Sequence, residues 1–184
     1  MAVRAWLAGV AAIAVLVAAA SAWPRGEPAR APSAACTTKR LPPAASTGEV
    51  VLWGHARSLA RAGSRYRLRF DPALWLSGET ANRAAIEDKA IPAGDTVPND
   101  YYVRDETHGL LTFRVPVSAR ATVITFAGGT AGFCATRVPV SELAAIVAGR
   151  NPRGRRLYVR GNRLGFWIRY RLDSIRSLDQ QYQP

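Results

Sequence analysis

The chain offers few groups for bond-making chemistry. His55 and His108 are its only histidines, and no His-x-x-His or His-x-x-x-His pair occurs. No carboxylate stands at ligand spacing from either, so the pattern points to no metal and no cofactor. His55 falls in a strand-like run, where an edge imidazole is ordinary, and His108 falls in the turn Glu106-Thr107-His108-Gly109. No Gly-x-Ser-x-Gly elbow or Ser/His/Asp trio is present. The acidic residues gather in Glu87-Asp88, Asp95, Asp100 and Asp105-Glu106. Two carboxylates held roughly 5 to 9 Å apart could hydrolyse a glycan, which makes Asp71, Asp100 and Glu87 the candidates for acid/base work. The same residues suit helix ends and turns, with Asn99-Asp100 shaping the loop before Tyr101.

Positive charge is what the chain has in quantity. It carries 25 Lys and Arg against 13 Asp and Glu, a formal net charge of +12, and only Lys39 and Lys89 are lysines. The preference for Arg follows from coding bias, but the excess of cations attracts anionic partners: wall polymers, lipid head groups or nucleic acid. Arg65, Arg67 and Arg69 alternate with Tyr66, Leu68 and Phe70, and Arg169 and Arg171 alternate with Ile168, Tyr170 and Leu172. Period two sends each arginine row to solvent and its apolar neighbours to a core. Trp53, Trp75, Tyr101, Tyr102, Trp167, Tyr170 and Tyr182 could stack on sugars or bases when interleaved with such cations. They could equally supply core area. The expected binding set is therefore Arg65, Arg67, Arg69, Trp75, Tyr101, Tyr102, Arg169 and Arg171, beside the basic loop at 150–156.

Residues 1–22 place Arg4 ahead of an apolar run ending Ala20-Ser21-Ala22, the pattern of a secretory signal peptide cleaved before Trp23. The run from 5 to 23 approaches the roughly 20 residues that span a bilayer, so an uncleaved anchor is the alternative. Residues 23–46 are rich in Pro, Ala and Ser and read as an extended linker. Export implies a secreted or extracytoplasmic location, where nucleic acid is scarce. Cys36 and Cys134 are the only cysteines and form no Cys-x-x-Cys pair, so one disulfide is expected. Closing so long a loop would stabilise the fold by roughly 4–5 kcal/mol in the chain-entropy model.

These groups need a framework, and residues 47–184 read as one β-rich domain. Strands are expected from Gly48, over 65–70, from Tyr101, and over 110–117, 121–127 and 133–140. LYVR (157–160), 165–172 and 174–178 complete the set. Asp71-Pro72 should stop the second strand, with Trp75 and Leu76 tucked into the core from a turn. Ala127 to Gly132 reads as a hairpin loop rather than a phosphate loop, since it lacks the Lys-Ser/Thr ending. A helix is expected over 80–90, capped by Ser77 or Thr80, and another over 142–148, capped by Ser141 and ended by Gly149. A hairpin should turn at Leu172-Asp173, leaving a polar tail. This spacing predicts a mainly β fold, a small antiparallel barrel of the oligonucleotide/oligosaccharide-binding type with one or two short inserted helices.

Three segments together, FDPALWLSGETANRAAIED, VPNDYYVRDE with LLTFRVPVSARATV, and GFWI with SLDQQYQP, resemble a group of exported β-rich proteins of Gram-positive bacteria, chiefly actinobacteria. The aromatic PNDYY entry and the terminal QYxP carry the likeness, which covers most of 48–184. The stretch RRLYVRGNRL (155–164) departs from it. The resemblance implies export and the extent of the domain, and implies no catalytic residue. Three functions stand open: an envelope binding or scaffold domain with a basic surface, a hydrolase acting on an envelope glycan, and a protein-interaction or inhibitor module.

Overall fold

Two 13-residue strands, β1 (Val50–Ala62) and β2 (Arg65–Ser77), form the hairpin on which the sheet is built. Tyr66, Leu68 and Phe70 are buried while Arg65, Arg67 and Arg69 are exposed, as the alternation requires. The structure, a computed structural model, describes residues 41–106, 109–126 and 132–183. All of them belong to the unit spanning Ala35–Pro184.

After β2 come α1 (Gly78–Glu87), a single 3₁₀ turn (Pro98–Asp100), β3 (Tyr101–Arg104), β4 (Leu111–Pro116), β5 (Arg120–Phe126) and β6 (Phe133–Val138). The chain then forms α2 (Val140–Val147), β7 (Gly165–Arg171) and β8 (Ser174–Gln180). The described residues are mainly β, with eight strands in one sheet and two helices. β1 pairs antiparallel with β2 and β7, β7 with β8, and β5 with β6. Two edges are shared. Arg65–Phe70 of β2 pairs with β4, and Leu74–Ser77 pairs with β3. β8 meets β4 at the bridge Arg114↔Ser174 and β5 from Ser177 onward, both in parallel, so the sheet is not purely antiparallel as expected.

The expected stop at Asp71-Pro72 does not occur, because β2 exchanges partners there. Pro72 lies between the segment that pairs with β4 and the one that pairs with β3. A residue with no N–H is tolerated at such a gap. Across from it Gly54 lets β1 approach closely: a Cβ at Gly54 would lie 2.1 Å from the Asp71 carbonyl oxygen. A register shift between Ala56 and Ser58 turns Arg57 toward Asp71, with Nε 2.7 Å from Oδ2.

The main core joins Leu59, Tyr66, Leu68, Phe70, Phe113, Val115, Phe166, Ile168, Ile175 and Leu178 to the apolar side of α2. α2 begins at Val140 with Pro139 in the N-cap position, so Ser141 lies inside the helix and does not cap it. Ser77 does hold the N-cap position of α1, without a side-chain bond to the helix. The small face of α1, Ala81 and Ala85, packs with Val97, Leu76 and Tyr102 in a separate cluster. Leu76 therefore serves this satellite and not the main core.

Three expectations for the last quarter change. LYVR contributes only the bridge Leu157↔Thr125. Leu172 sits at the tip of the β7–β8 turn, 87% exposed, and leaves the core row. The start of the polar tail is buried strand: Asp179 Oδ1 accepts from Thr122, and the Ile124 N–H donates to Gln180 Oε1. Residues 41–46 of the expected linker lie against the domain, with Pro43 buried and the Ala44 carbonyl accepting from Arg169.

The signal segment, Cys36 and His108 lie outside the described residues, and so does the expected Cys36–Cys134 pairing. Cys134 is in β6, and no described cysteine is free. No described helix is long and apolar enough to cross a membrane.

Candidate functional site

The arginine rows are joined by a route that the local pattern does not reveal. Through β1 they are far apart, since Arg69 pairs with Ser58 and Arg169 with Val51. Those positions are seven steps apart along β1, about 23 Å. Through β4 and β8 they are close. Arg67 is directly opposite Arg114, Arg114 is opposite Ser174, and Ser174 is opposite Arg171. Opposed residues share a face, and three steps of about 4.8 Å bring Arg67 within about 15 Å of Arg171. Arg65, Arg67, Arg69, Arg114 and Arg171 thus form one exposed band, with Arg176 nearby on β8.

The band is held at one point by an acid. The backbone N–H of Arg114 donates to the Asp173 carbonyl at 2.8 Å, and its guanidinium pairs with the Asp173 carboxylate. The Arg114 hydrogen bond holds the Asp173 carboxyl below its ordinary value. No carboxylate lies within ion-pair distance of Arg65, Arg67 or Arg171 among the described residues. Arg67 facing Arg114 is a like-charge pair, which costs stability on a sheet surface.

Arg169 does not join the band as expected. Its side chain is 21% exposed, with Nε 3.3 Å from Glu49 and Nη1 bonded to the Ala44 carbonyl. The basic loop at 150–156 also contributes less than expected. Arg155 and Arg153 both reach the buried carboxylate of Glu142, and Arg156 lies over the Phe126 ring at 5.9 Å. These are internal contacts.

Aromatic residues gather away from the band. Trp75 is stacked on Tyr101 with ring centroids 4.3 Å apart, and packs against Trp53 and Trp167. Phe126, Phe133, Tyr158 and Tyr182 form a second group. Burial raises the Tyr101 hydroxyl above its usual value, helped by Tyr158 and Tyr182. Tyr102 points the other way, into the α1 cluster. Its hydroxyl is pushed up by burial and by a hydrogen bond with Asp88. Trp75 is six steps along β2 from Arg69, about 20 Å of strand. The aromatics and arginines are therefore not interleaved. The stacking geometry that single-stranded nucleic acid requires is not formed by the predicted set.

Two of the three acid/base candidates, Asp71 and Glu87, are engaged with arginines. Asp71 is bound by Arg57, and Glu87 and Asp88 by Arg104. Hydrogen bonds that Arg104 donates to Glu87 and Asp88 raise its guanidinium above its already high value. Asp100 is exposed in the 3₁₀ turn with a left-handed backbone, as is its neighbour Asn99. His55 Nδ1 is buried without a hydrogen-bond partner, 3.9 Å from Asp105. Burial holds this imidazole below its ordinary value, Arg57 adds to the effect and Asp105 opposes it. Among the described residues no group of three His, Cys, Asp or Glu could hold a metal ion.

The alternation argument identifies Arg65, Arg67, Arg69 and Arg171, but Arg114 was overlooked although it alternates with Phe113 and Val115 in the same way. The exposed Leu172 and Val117 were also missed, because both sit in runs that look like core strands. Comparison with protein-family models, with curated proteins and with solved structures gave no match.

Proposed function

We propose that the domain is an extracytoplasmic binding module that engages an anionic surface, an envelope polymer or lipid head groups, through its arginine band. The observation that carries this reading is the adjacency Arg67–Arg114–Ser174–Arg171, which gathers cations from β2, β4 and β7 on one side. Its like-charge pairing is costly for the fold alone and useful to a surface that meets phosphates. Arg presents a planar fork to phosphate oxygens and is more weakly hydrated than Lys, which suits such contacts. The pairing circuit β1–β2–β4–β8–β7 supports a small barrel of the oligonucleotide/oligosaccharide-binding type as its scaffold, with β3, β5 and β6 as extensions. Export and the Cys36–Cys134 bridge belong to the same reading, as does the likeness to exported actinobacterial proteins.

The hydrolase reading has weaker support, since Asp71 and Glu87 are tied up by arginines and Asp100 stands apart in an open turn. The test is binding to soluble polyphosphate and to phosphatidylglycerol vesicles across a salt series. For about four phosphate contacts, affinity should drop roughly a hundredfold between 50 and 200 mM salt by counterion release. Salt-insensitive binding, or none at low salt, contradicts the proposal.

A further inference from the structure

Leu172 combines two features that the fold does not explain. It is 87% exposed, the most exposed large apolar residue described, and its backbone is left-handed with φ +53°. The first central position of a two-residue hairpin with positive φ suits Gly, and Asn tolerates it, whereas a bulky side chain is an outlier there. The position therefore carries both a conformational cost and exposed apolar surface, with no packing in return. An outlier of this kind points to use outside the fold.

Its surroundings indicate what that use is. An open recess beside the turn is lined by Ser64, Arg65, Arg114, Pro116, Val117 and Ser174. Val117 is 61% exposed, second only to Leu172 among large apolar residues. Arg171 and Asp173 flank Leu172 in the chain, and Arg65 lies close enough to help lower the Asp173 carboxyl. An isolated apolar tip ringed by guanidinium groups matches the boundary of an anionic bilayer. There the head groups are phosphate and the layer beneath is hydrocarbon. Arg side chains reach the phosphates while apolar tips enter the acyl boundary. The chain also enters the sheet here: Gly48 lies beside the Arg171 side chain, and Val50, itself exposed, pairs with Tyr170.

We infer that the Leu172–Asp173 turn and the Val117 loop are a membrane-docking edge. Leu172 and Val117 enter the interface of a bilayer containing anionic phospholipid, and Arg65, Arg114 and Arg171 hold its phosphates. This rests on the reading of the arginine band as an anion-binding surface, and it specifies the lipid bilayer as the partner.

The experiment is hydrogen–deuterium exchange on the full chain. Vesicles of equal phosphatidylglycerol and phosphatidylcholine are titrated in, with pure phosphatidylcholine and soluble polyphosphate as controls. A local readout separates this edge from any attachment through residues 5–22. The mixed vesicles should protect 112–119 and 170–176, pure phosphatidylcholine should not, and polyphosphate, which meets the band without covering the apolar tips, should protect them less. Leu172→Asn should raise the lipid concentration for half protection about tenfold or more, the loss of one leucine transfer. It should leave melting unchanged or higher, since Asn accepts a left-handed backbone. Arg65→Gln and Arg171→Gln should each raise that concentration about fivefold. If the arginine variants weaken protection and Leu172→Asn does not, or polyphosphate protects as well as lipid, the docking edge is wrong while the anion-binding band stands. If none of the variants changes anything, both are wrong.

Discussion

The indole of Trp53 lies directly over Gly165: a Cβ at Gly165 would come within 2.8 Å of the Trp53 Cζ2 atom. β1 and β7 pair antiparallel here, with Trp53 opposite Trp167 and His55 opposite Gly165. The ring crosses from one residue pair to the next and fills the space that a side chain at 165 would take. Gly54 on the same strand is equally constrained, by backbone instead of a ring, since its Cβ would meet Asp71 and Pro72 main-chain atoms. Gly54→Ala should therefore destabilise more than Gly165→Ala. Overpacking of this kind costs about 1–3 kcal/mol, more where backbone must move. Urea unfolding of the two variants checks the order.

Glu142 gives a second prediction. Its carboxylate is 4% exposed and receives Arg155 Nε at 2.5 Å, with Arg153 Nε at 3.3 Å. The hydrogen bond to Glu142 raises the Arg155 guanidinium above its usual value. Arg155→Ala would leave a buried charge with only the exposed Arg153 and should cost about 3–5 kcal/mol. Replacing both partners together, Glu142→Leu with Arg155→Met, should cost much less. Chemical denaturation of the single and double variants measures the difference.

His55 should make stability depend on pH in the mildly acidic range. Its folded pKa lies below the ordinary histidine value because burial disfavours the charged ring. The folded state therefore binds this proton less readily than the unfolded chain. The stability it contributes is present above the unfolded value, near 6.5, and is lost as pH falls from there through the folded value. Melting curves between pH 8 and 5 should show this loss in the native protein and a smaller one in His55→Gln.

Asp173 acts in a lower window. Its carboxyl is held down by Arg114, so the contact is present above the ordinary aspartate value and weakens as pH falls through the lower folded one. Asp173→Asn should loosen the β7–β8 turn at neutral pH and abolish further loosening in acid. Amide exchange at 172–175 reads both effects.

The row Tyr66, Leu68, Phe70 was legible from the chain because local period two is enough to orient side chains on a strand, and all three are buried. The turn at Leu172-Asp173 and the small face of α1 were legible for similar local reasons. Partner exchange was not. Pro72 looks like a strand end unless it is known that β2 changes neighbours beside it. Asp179 and Gln180 look like a solvated tail until Thr122 and the Ile124 N–H are seen to bond them. The band itself depends on Arg114 meeting Ser174, residues sixty positions apart, and no periodicity encodes that pairing. Arg169 shows the converse: alternation put it in solvent, and Glu49 and Ala44 hold it against the domain.

The most direct test of the arginine band compares two triple variants that remove equal charge. Arg65→Gln, Arg67→Gln and Arg69→Gln remove the β2 row of the band. Arg150→Gln, Arg160→Gln and Arg163→Gln remove three exposed cations outside it. Each lowers the formal charge from +12 by three. At low salt, with the same phosphatidylglycerol vesicles, the band variant should bind at least tenfold more weakly than the native protein, while the other stays within about threefold of it. Equal losses in the two would mean that net charge alone drives binding, and would contradict the account.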